Sequence, residues 1–158
     1  TARLRPAGPR AAALGPPRLD PGAVPAALEW LAQYFARRTG IACTATLHPI
    51  NAGISDELAT ALFRIVQEAL TNVSRHAQGT VVKLELGIEG DCVVLQITDN
   101  GRGITESVAS GPGSLGILGM RERAAALGGV LEVVPRAEGG TRGAAWFPST
   151  RPRGRTES

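Results

Sequence analysis

The sequence predicts an α+β fold, a two-layer sandwich in which three helices cover one face of a mixed, mostly antiparallel sheet. Three stretches place apolar residues at helical spacing, whereas five runs are rich in β-branched residues or alternate between apolar and polar side chains. Along the chain these segments follow the order helix, strand, helix, two strands, glycine-rich loop, helix and two strands. This mixed order favours an α+β sandwich over a doubly wound parallel sheet.

The first predicted helix follows a proline-rich segment. Residues 1–22 contain five prolines among Ala, Gly and Arg, a mixture that disfavours helix, and we interpret them as a linker. Pro25 suits a first helical turn, and apolar residues then recur at helical spacing until Gly40. The run IACTATLH that follows alternates like a strand. We interpret His48, at its end, as a surface or loop residue.

The longest predicted helix begins after Ser55, a favourable N-cap, and ends near Ala77. At about 100° per residue, its apolar residues fall on one side, and four polar residues fall within an arc roughly 100° wide. These polar residues are Glu68, Asn72, Arg75 and His76. A carboxylate, an amide oxygen and two possible cations on one wall suit a metal-bound polyphosphate.

Two β-rich runs, VVKLELGIE and CVVLQITD, are separated by Gly90 and Asp91 and predict an antiparallel hairpin. The second run leads from Asp99 into the turn NGRG, whose glycines allow positive φ and a close approach of the backbone to a ligand. The polar, glycine-rich residues 104–115 are too irregular for a regular element. We interpret them as a short mobile lid.

The third predicted helix extends from Ile117 to a stop at Gly128. Its predicted buried side consists of Leu118, Met120, Ala124 and Leu127. Gly116 and Gly119 lie at its N-terminal end, where unpaired N–H groups and the helix dipole favour a phosphate. Two final strands, VLEVVP and TRGAAWFP, are joined by the turn RAEGG and complete the predicted sheet.

Length and apolar content argue against secreted and membrane-spanning classes. The 158 residues suffice for one packed domain, and the chain has no run of 18 or more apolar residues and no secretory-signal pattern. We therefore expect a soluble, cytoplasmic domain, with any membrane anchor of the whole protein outside it. Cys43 and Cys92 lie in apolar runs without metal-ligand spacing, which is typical of buried thiols in a reducing compartment.

The basic character of the chain belongs to its ends. Residues 1–22 and 151–158 carry seven arginines against Asp20 and Glu157, a net charge of +5, and because the whole chain carries +3, residues 23–150 carry −2. A duplex-binding domain places Lys and Arg on a folded face. We therefore expect no direct contact with nucleic acid, and we interpret the arginine-rich end as a disordered tail.

Four motifs together resemble those of a known family. QEALTNVSRHA resembles the N box, DNGRG the G1 box and GSLGILGMRER the G2 box of the GHKL, or Bergerat-fold, ATPases, and GGTRGAAWFP resembles their final strand. EALTNVSRHA with GILGMRERAAALGG is most similar to the catalytic ATP-binding (HATPase_c) domain of sensor histidine kinases of the nitrate-sensor-like class, which signal to LuxR-type response regulators. The likeness covers residues 18–148. We divide the chain into a linker, an ATP-binding domain and a basic tail: residues 1–22, 23–149 and 150–158.

The resemblance implies a role for each motif residue. Asn72 would bind Mg²⁺ through its amide oxygen, and Glu68 would orient or deprotonate a metal-bound water or the phosphoacceptor. Asp99 would accept a hydrogen bond from the adenine amino group, and Gly101 and Gly103 would keep the loop beside the purine thin. The other implied ATP contacts are Arg75, His76, Gly116, Ile117, Gly119, Met120 and Thr141.

The implied function is transfer of the γ-phosphate of Mg-ATP to a histidine on a dimerisation domain. The only histidines, His48 and His76, lie outside any two-helix phosphoacceptor segment, so we expect the chain to bind Mg-ATP as a monomer without phosphorylating itself. An anti-sigma-factor-type serine kinase and a non-catalytic nucleotide-binding regulatory module stay open as alternatives. Three alternatives for single residues stay open as well: a simple turn aspartate at Asp99, a solvated glutamate at Glu68, and surface placement of Arg75 and His76.

Overall fold

The computed structural model describes residues 19–50, 54–77, 81–101 and 115–148. Within these residues the elements are α1 (Val24–Thr39), β1 (Ala42–Leu47), α2 (Asp56–Asn72), β2 (Val81–Glu89), β3 (Cys92–Asp99), α3 (Leu115–Ala126), β4 (Val130–Pro135) and β5 (Thr141–Pro148). A short 3-10 turn, Pro21–Ala23, precedes α1, and a π-helical turn, Val73–Ala77, continues α2. The order of elements is the predicted one.

The five strands form one sheet in the order β1-β2-β3-β5-β4. The β1–β2 pair is parallel, and the other three pairs are antiparallel, which confirms the predicted mixed sheet. The predicted hairpin between β2 and β3 is confirmed as well, since Glu89 faces Cys92 across the two-residue turn and Gly90 has a φ of 59°. Positive φ there suits a glycine in a tight hairpin turn.

One face of the sheet is buried under the helices. Alternate residues of the central strands point inward, so Leu84 and Leu86 of β2 and Leu95 of β3 are buried in the same core as Leu62 and Val66 of α2. Burying each such side chain contributes about 1.5–3 kcal/mol. The confirmed apolar side of α2 therefore fixes the helix on the sheet and directs its polar side away from the core.

The connections bring the end of α2 and the end of β3 together. Because β1 and β2 are parallel, α2 crosses between them and finishes near the start of β2. The antiparallel β3 then returns to the end of the sheet where β2 begins, and there Asp99 faces Val82, the second residue of β2. Residues Asn72 and Asp99 are thus brought to one end of the sheet by topology.

The helix ends follow the predicted signals. Ser55 Oγ accepts a hydrogen bond from the Leu58 N–H at 3.0 Å, which caps α2, and such a cap contributes about 1 kcal/mol. At the end of α1, Gly40 has a φ of 77° and donates its N–H to the Ala36 carbonyl at 2.9 Å. No described helix is both long enough and apolar enough to cross a membrane.

Packing of the domain begins before residue 23. Leu19 packs against the core, and its N–H donates to Thr60 Oγ1 of α2 at 2.9 Å, while Asp20 caps the 3-10 turn. Residues 19–22, which the sequence predicts as the end of the linker, therefore contact the domain. The apolar side chain of Leu19 provides the physical reason, since a linker would leave it in water.

Two sequence predictions about burial change in the structure. Leu118 is 50% exposed, whereas Ile117 is buried beside Met120. The predicted burial of Leu118 was wrong because apolar residues occur all round α3, and the pattern does not decide which side packs. The cysteines are free as predicted but only half-buried, and burial, followed by the charge of Glu29, raises the pKa of Cys43 to about 11.

Candidate functional site

Asp99, the last residue of β3, is a buried carboxylate. It is 5% exposed and is the one buried polar or charged residue among those that the structure describes. Its Oδ1 accepts a hydrogen bond from the Gly101 N–H at 2.8 Å. Burial raises the pKa of Asp99, against the backbone hydrogen bonds from Gly101 and Thr141 and the positive charge of Arg136, which lower it. The side chain is thus a rigidly held acceptor that is costly to keep ionised.

Thr141 and Asn100 adjoin this carboxylate in different ways. Thr141, the first residue of β5, lies directly opposite Asp99 in the ladder, so the structure brings these two predicted site residues together. Asn100 instead ends the β2–β3 pairing. Its Oδ1 accepts from the Val81 N–H at 3.0 Å, and its own N–H donates to the Val81 carbonyl at 3.2 Å. Asn100 therefore fixes the strand end from which Asp99 projects.

Glu68 and Asn72 lie one helical turn apart near the end of α2, and both side chains are half-buried. The α-helix ends at Asn72, where the Val73 N–H is shared between the Ala69 and Leu70 carbonyls and the wider π-helical turn begins. Single π turns inside helices frequently occur at functional sites. Carboxylate and amide oxygens are the ligands that Mg²⁺ prefers, so this pair is a suitable donor set.

Gly116, in the first turn of α3, packs directly against Glu68. A Cβ at position 116 would overlap the Glu68 carboxylate, whose carbon would lie only 2.9 Å away. The sequence predicts Gly116 as a donor of a backbone N–H but not this close approach. The structure adds a second reason for glycine at this position, because any side chain would displace Glu68.

Three other predicted contacts on α3 lie elsewhere. Ile117 and Met120 belong to the hydrophobic core. Gly119 lines a groove of about 540 Å³ between α3 and the N-terminal half of α2, alongside Glu57 and Thr60. The structure therefore does not bring Gly119 against Glu68, although the helical pattern places both glycines at the same helix end.

Arg75 lies apart from the predicted polar wall. It is exposed and lines a groove of about 430 Å³ between α1 and α2, next to Trp30, Tyr34 and Thr71. The prediction assumed a regular α-helix through residue 77, but Arg75 lies in the π-helical turn, which advances by a smaller angle per residue. The structure therefore places Arg75 in the α1–α2 groove, and its implied contact with phosphate stays a prediction.

Several predictions lie outside the described residues. They are Gly103, Arg102 and the predicted lid apart from Leu115, which begins α3. The backbone of His76 forms part of the π-helical turn, but its side chain is also outside the described part of the chain. The roles implied for these residues stay predictions.

Two residues of the β4–β5 turn contact Asp99 and were not predicted. Gly140 is buried with a φ of 95°, and a Cβ there would collide with the Asp99 carbonyl oxygen. Arg136 donates from Nη1 to the same carbonyl oxygen at 3.1 Å. The GG pair was a usable signal for Gly140, since paired glycines mark positive φ or close approach. Nothing in the local pattern pointed to Arg136.

The site agrees with what comparison with known proteins finds. Residues 57–151 match the family model described as histidine kinase-, DNA gyrase B-, and HSP90-like ATPase. This chain belongs to that ATPase family. The predicted ATPase fold is confirmed, and its donor groups suit a magnesium nucleotide: Asp99 offers a fixed acceptor, and Asn72 and Glu68 offer oxygen ligands.

Relatives of this ATPase domain include named sensor kinases. The chain is 34% identical over 139 residues to the sensor histidine kinase MctS of Rhizobium johnstonii, covering 87% of this chain and 30% of MctS. It is 41% identical over 93 residues to the sensor histidine kinase LiaS of Bacillus subtilis, covering 59% of this chain and 24% of LiaS. The chain thus spans about a quarter to a third of these relatives.

Solved structures support the same family. The histidine kinase domain of a blue-light activated histidine kinase of Erythrobacter litoralis superposes with a TM-score of 0.69 at 25% identity, covering 80% of this chain and 61% of that one. A mycobacterial sensor histidine kinase, MprB, superposes with a TM-score of 0.62 at 27% identity, covering 79% of this chain and 93% of that one. The chain is therefore similar to the ATPase domain of sensor histidine kinases.

Proposed function

We propose that this domain binds Mg-ATP and donates its γ-phosphate to a histidine on a dimerisation domain of the same protein. The observation that supports this most directly is Asp99, a buried carboxylate held at a strand end beside Thr141. Family membership and the named sensor histidine kinases among the relatives support the kinase class. They do not favour a serine kinase or a non-catalytic module.

In this proposal one group of residues binds adenine and a second group binds the phosphates. The adenine end consists of Asp99, Gly101, Gly140 and Thr141. The phosphate end consists of Glu68, Asn72 and Gly116. Asp99 accepts from the purine amino group, with Thr141 beside it, and Gly101 keeps the turn narrow.

At the phosphate end, Asn72 would hold Mg²⁺ through its amide oxygen, and Glu68 would orient or deprotonate a metal-bound water or the phosphoacceptor. When bound, the metal would supply positive charge against the negative charge on the phosphate oxygens. Gly116 gives space for Glu68 and donates its backbone N–H to phosphate. Little covalent chemistry is required of the domain, because positioning and electrostatic stabilisation supply most of the rate.

The remaining implied contacts have less direct parts in the proposal. Ile117 and Met120 support the start of α3 from the core. We also propose that Arg75, His76 and Gly119 approach the phosphates, that Gly103 adjoins the purine, and that residues 104–115 close over ATP. We propose that the domain lies in the cytoplasm, as part of a kinase of the nitrate-sensor-like class whose partner is a LuxR-type response regulator.

The proposal is tested by measuring which base the site prefers. The variant Asp99→Asn should weaken Mg-ATP binding at least about tenfold in titration calorimetry, because it replaces a charge-assisted hydrogen bond. Inosine triphosphate carries a carbonyl where adenine carries the amino group, so the variant should lose the preference for ATP over it.

The matched control is Glu132→Gln, a carboxylate change on the exposed side of β4. It should leave both affinities as in the unmodified protein. An Asp99→Asn variant with unchanged ATP affinity and unchanged base preference would contradict the proposal.

A further inference from the structure

We infer that Arg136, which lies outside the four sequence motifs, is a positioning residue that holds the Asp99 carboxylate in place for nucleotide binding. The inference deepens the proposed function and depends on its assignment of Asp99 to base recognition. Arg136 itself is not proposed to touch nucleotide.

The side chain of Arg136 joins two turns of the fold. Its Nη1 donates to the Asp99 main-chain carbonyl at 3.1 Å, and its Nη2 pairs with Glu138 Oε2 at 3.0 Å. The side chain is 24% exposed, whereas that of Glu138 is 69% exposed. The guanidinium therefore reaches inward from the β4–β5 turn to the end of β3, with Glu138 orienting it from the solvent side.

The backbone of Arg136 fixes the same turn. Its N–H donates to the Gly140 carbonyl at 2.9 Å, and its carbonyl accepts from the Gly139 N–H at 3.1 Å. Gly140, closed into this turn, packs so tightly on the Asp99 carbonyl that a Cβ would overlap it. The Asp99 peptide is thus held by Arg136 on one side and Gly140 on the other, just before Gly101, which binds the carboxylate.

The charge of Arg136 acts on Asp99 as well. Its guanidinium lowers the pKa of Asp99 against burial, which raises it more strongly. Neighbouring elements bring further charged groups toward this end of the sheet. They include Glu138, paired with Arg136, and Glu68, against Gly116, whereas Lys83 and Arg142 lie beside Thr98 on the opposite face of the sheet. An ionised Asp99 is the acceptor that adenine needs, so loss of Arg136 moves the acid limit of ATP binding to higher pH.

The experiment compares Arg136→Gln and Arg136→Lys with Arg142→Gln, a matched arginine change on the outward side of β5. Dissociation constants for Mg-ATP and Mg-inosine triphosphate are measured from about pH 5 to 8, together with melting temperature. Arg136→Gln should bind ATP about three- to tenfold more weakly at neutral pH, with less effect on inosine triphosphate. Its ATP affinity should also begin to fall at a higher pH than that of the unmodified protein.

The lysine variant keeps the charge but lacks the planar fork of donors. It should retain the original pH profile with an intermediate affinity, and Arg142→Gln should match the unmodified protein. An Arg136→Gln variant with unchanged affinity and pH profile overturns the inference. A variant that loses affinity for both nucleotides equally at every pH, in step with its melting temperature, also overturns it because a general structural role then suffices.

The Asp99→Asn variant separates this inference from the proposed function. Loss of the base preference in that variant, with normal behaviour of Arg136→Gln, refutes only the role of Arg136. An unchanged base preference in Asp99→Asn refutes the role of Asp99 and the inference with it.

Discussion

The adenine end and the phosphate end differ in what holds their residues in place. Asp99 and Thr141 face each other in a β-ladder, and backbone hydrogen bonds fix the turn that follows. Glu68 and Asn72 instead project from a helix whose last turn is π-helical, and Gly116 meets Glu68 from a separate helix. Under the proposed function, base recognition would depend on sheet geometry, whereas phosphate chemistry would depend on how two helices pack. We expect mutations at the two ends to separate binding from transfer.

The largest expected effect is at the phosphate end. Asn72→Ala should reduce phosphotransfer to separately supplied dimerisation helices about 10²–10³-fold. The variant lacks the amide oxygen proposed to bind Mg²⁺, whose charge would stabilise the reacting phosphate. Transfer is followed with labelled ATP as an acid-labile phosphate on the acceptor histidine. The control Gln67→Ala removes an amide from the side of α2 that lines the α1–α2 groove. Equal rates for the unmodified protein and Asn72→Ala would exclude this role.

Next in size is the close approach at the adenine end. Gly140→Ala should lower the free energy of unfolding by about 3 kcal/mol, since positive φ costs on the order of 1 kcal/mol and overlap with the Asp99 carbonyl adds to it. Gly139→Ala is the control, because Gly139 also has a positive φ, 103°, but open space around it. Chemical denaturation measures both variants. Equal losses would mean that the Asp99 contact is unimportant.

A smaller effect is expected where the two helices meet. Gly116→Ala should displace Glu68 and slow phosphotransfer by about tenfold. ATP affinity should change less, because the misplaced Glu68 carboxylate affects proton transfer during the reaction and not the recognition of adenine. Gly119→Ala meets no atom within 4 Å and should stabilise α3 by about 0.5–1 kcal/mol. Transfer kinetics and thermal melting report the two effects. A Gly116→Ala variant that transfers at the normal rate would contradict the close packing.

The smallest effect concerns stability and pH. Because folding raises the pKa of Asp99, the folded state binds its proton more tightly, so the stability that Asp99 contributes falls as pH rises from the unfolded to the folded pKa. Asp99→Asn should therefore be more stable than the unmodified protein near neutral pH, and this advantage should vanish below about pH 4, where the carboxyl is protonated in both states. Denaturation at several pH values measures it. A constant difference across that range would argue against the raised pKa.

The sequence predicted the strand ends and turns better than the arrangement of side chains after Asn72. Asp99, Gly101 and Thr141 lie at strand ends or turns, which have local sequence signatures. Arg75 lies in the α1–α2 groove because the π-helical turn shifts the phase of side chains after Asn72, and nothing in the pattern signals that turn. Leu118 was misplaced since the direction in which α3 faces depends on packing.

The role of Arg136 and the close approach of Gly116 to Glu68 were not predicted, because both depend on packing between elements. Arg136 contacts a carbonyl 37 positions earlier in the chain, a pairing that exists only once β4 and β5 have joined the sheet. The overlap between a side chain at 116 and Glu68 likewise depends on two helices that are distant in sequence. Local periodicity predicts elements and their ends, but contacts between elements require their packing.

The alignment of β3 with its neighbour has a consequence for how this family can vary. Asp99 faces the helices only because it stands opposite Val82 and every second residue of β3 points the same way. A slip by one position would send the carboxylate to the opposite face of the sheet and place an adjoining residue on the face that packs against the helices. Insertions that preserve nucleotide selection should therefore lengthen the loop at Gly90 without sliding the strands that flank it.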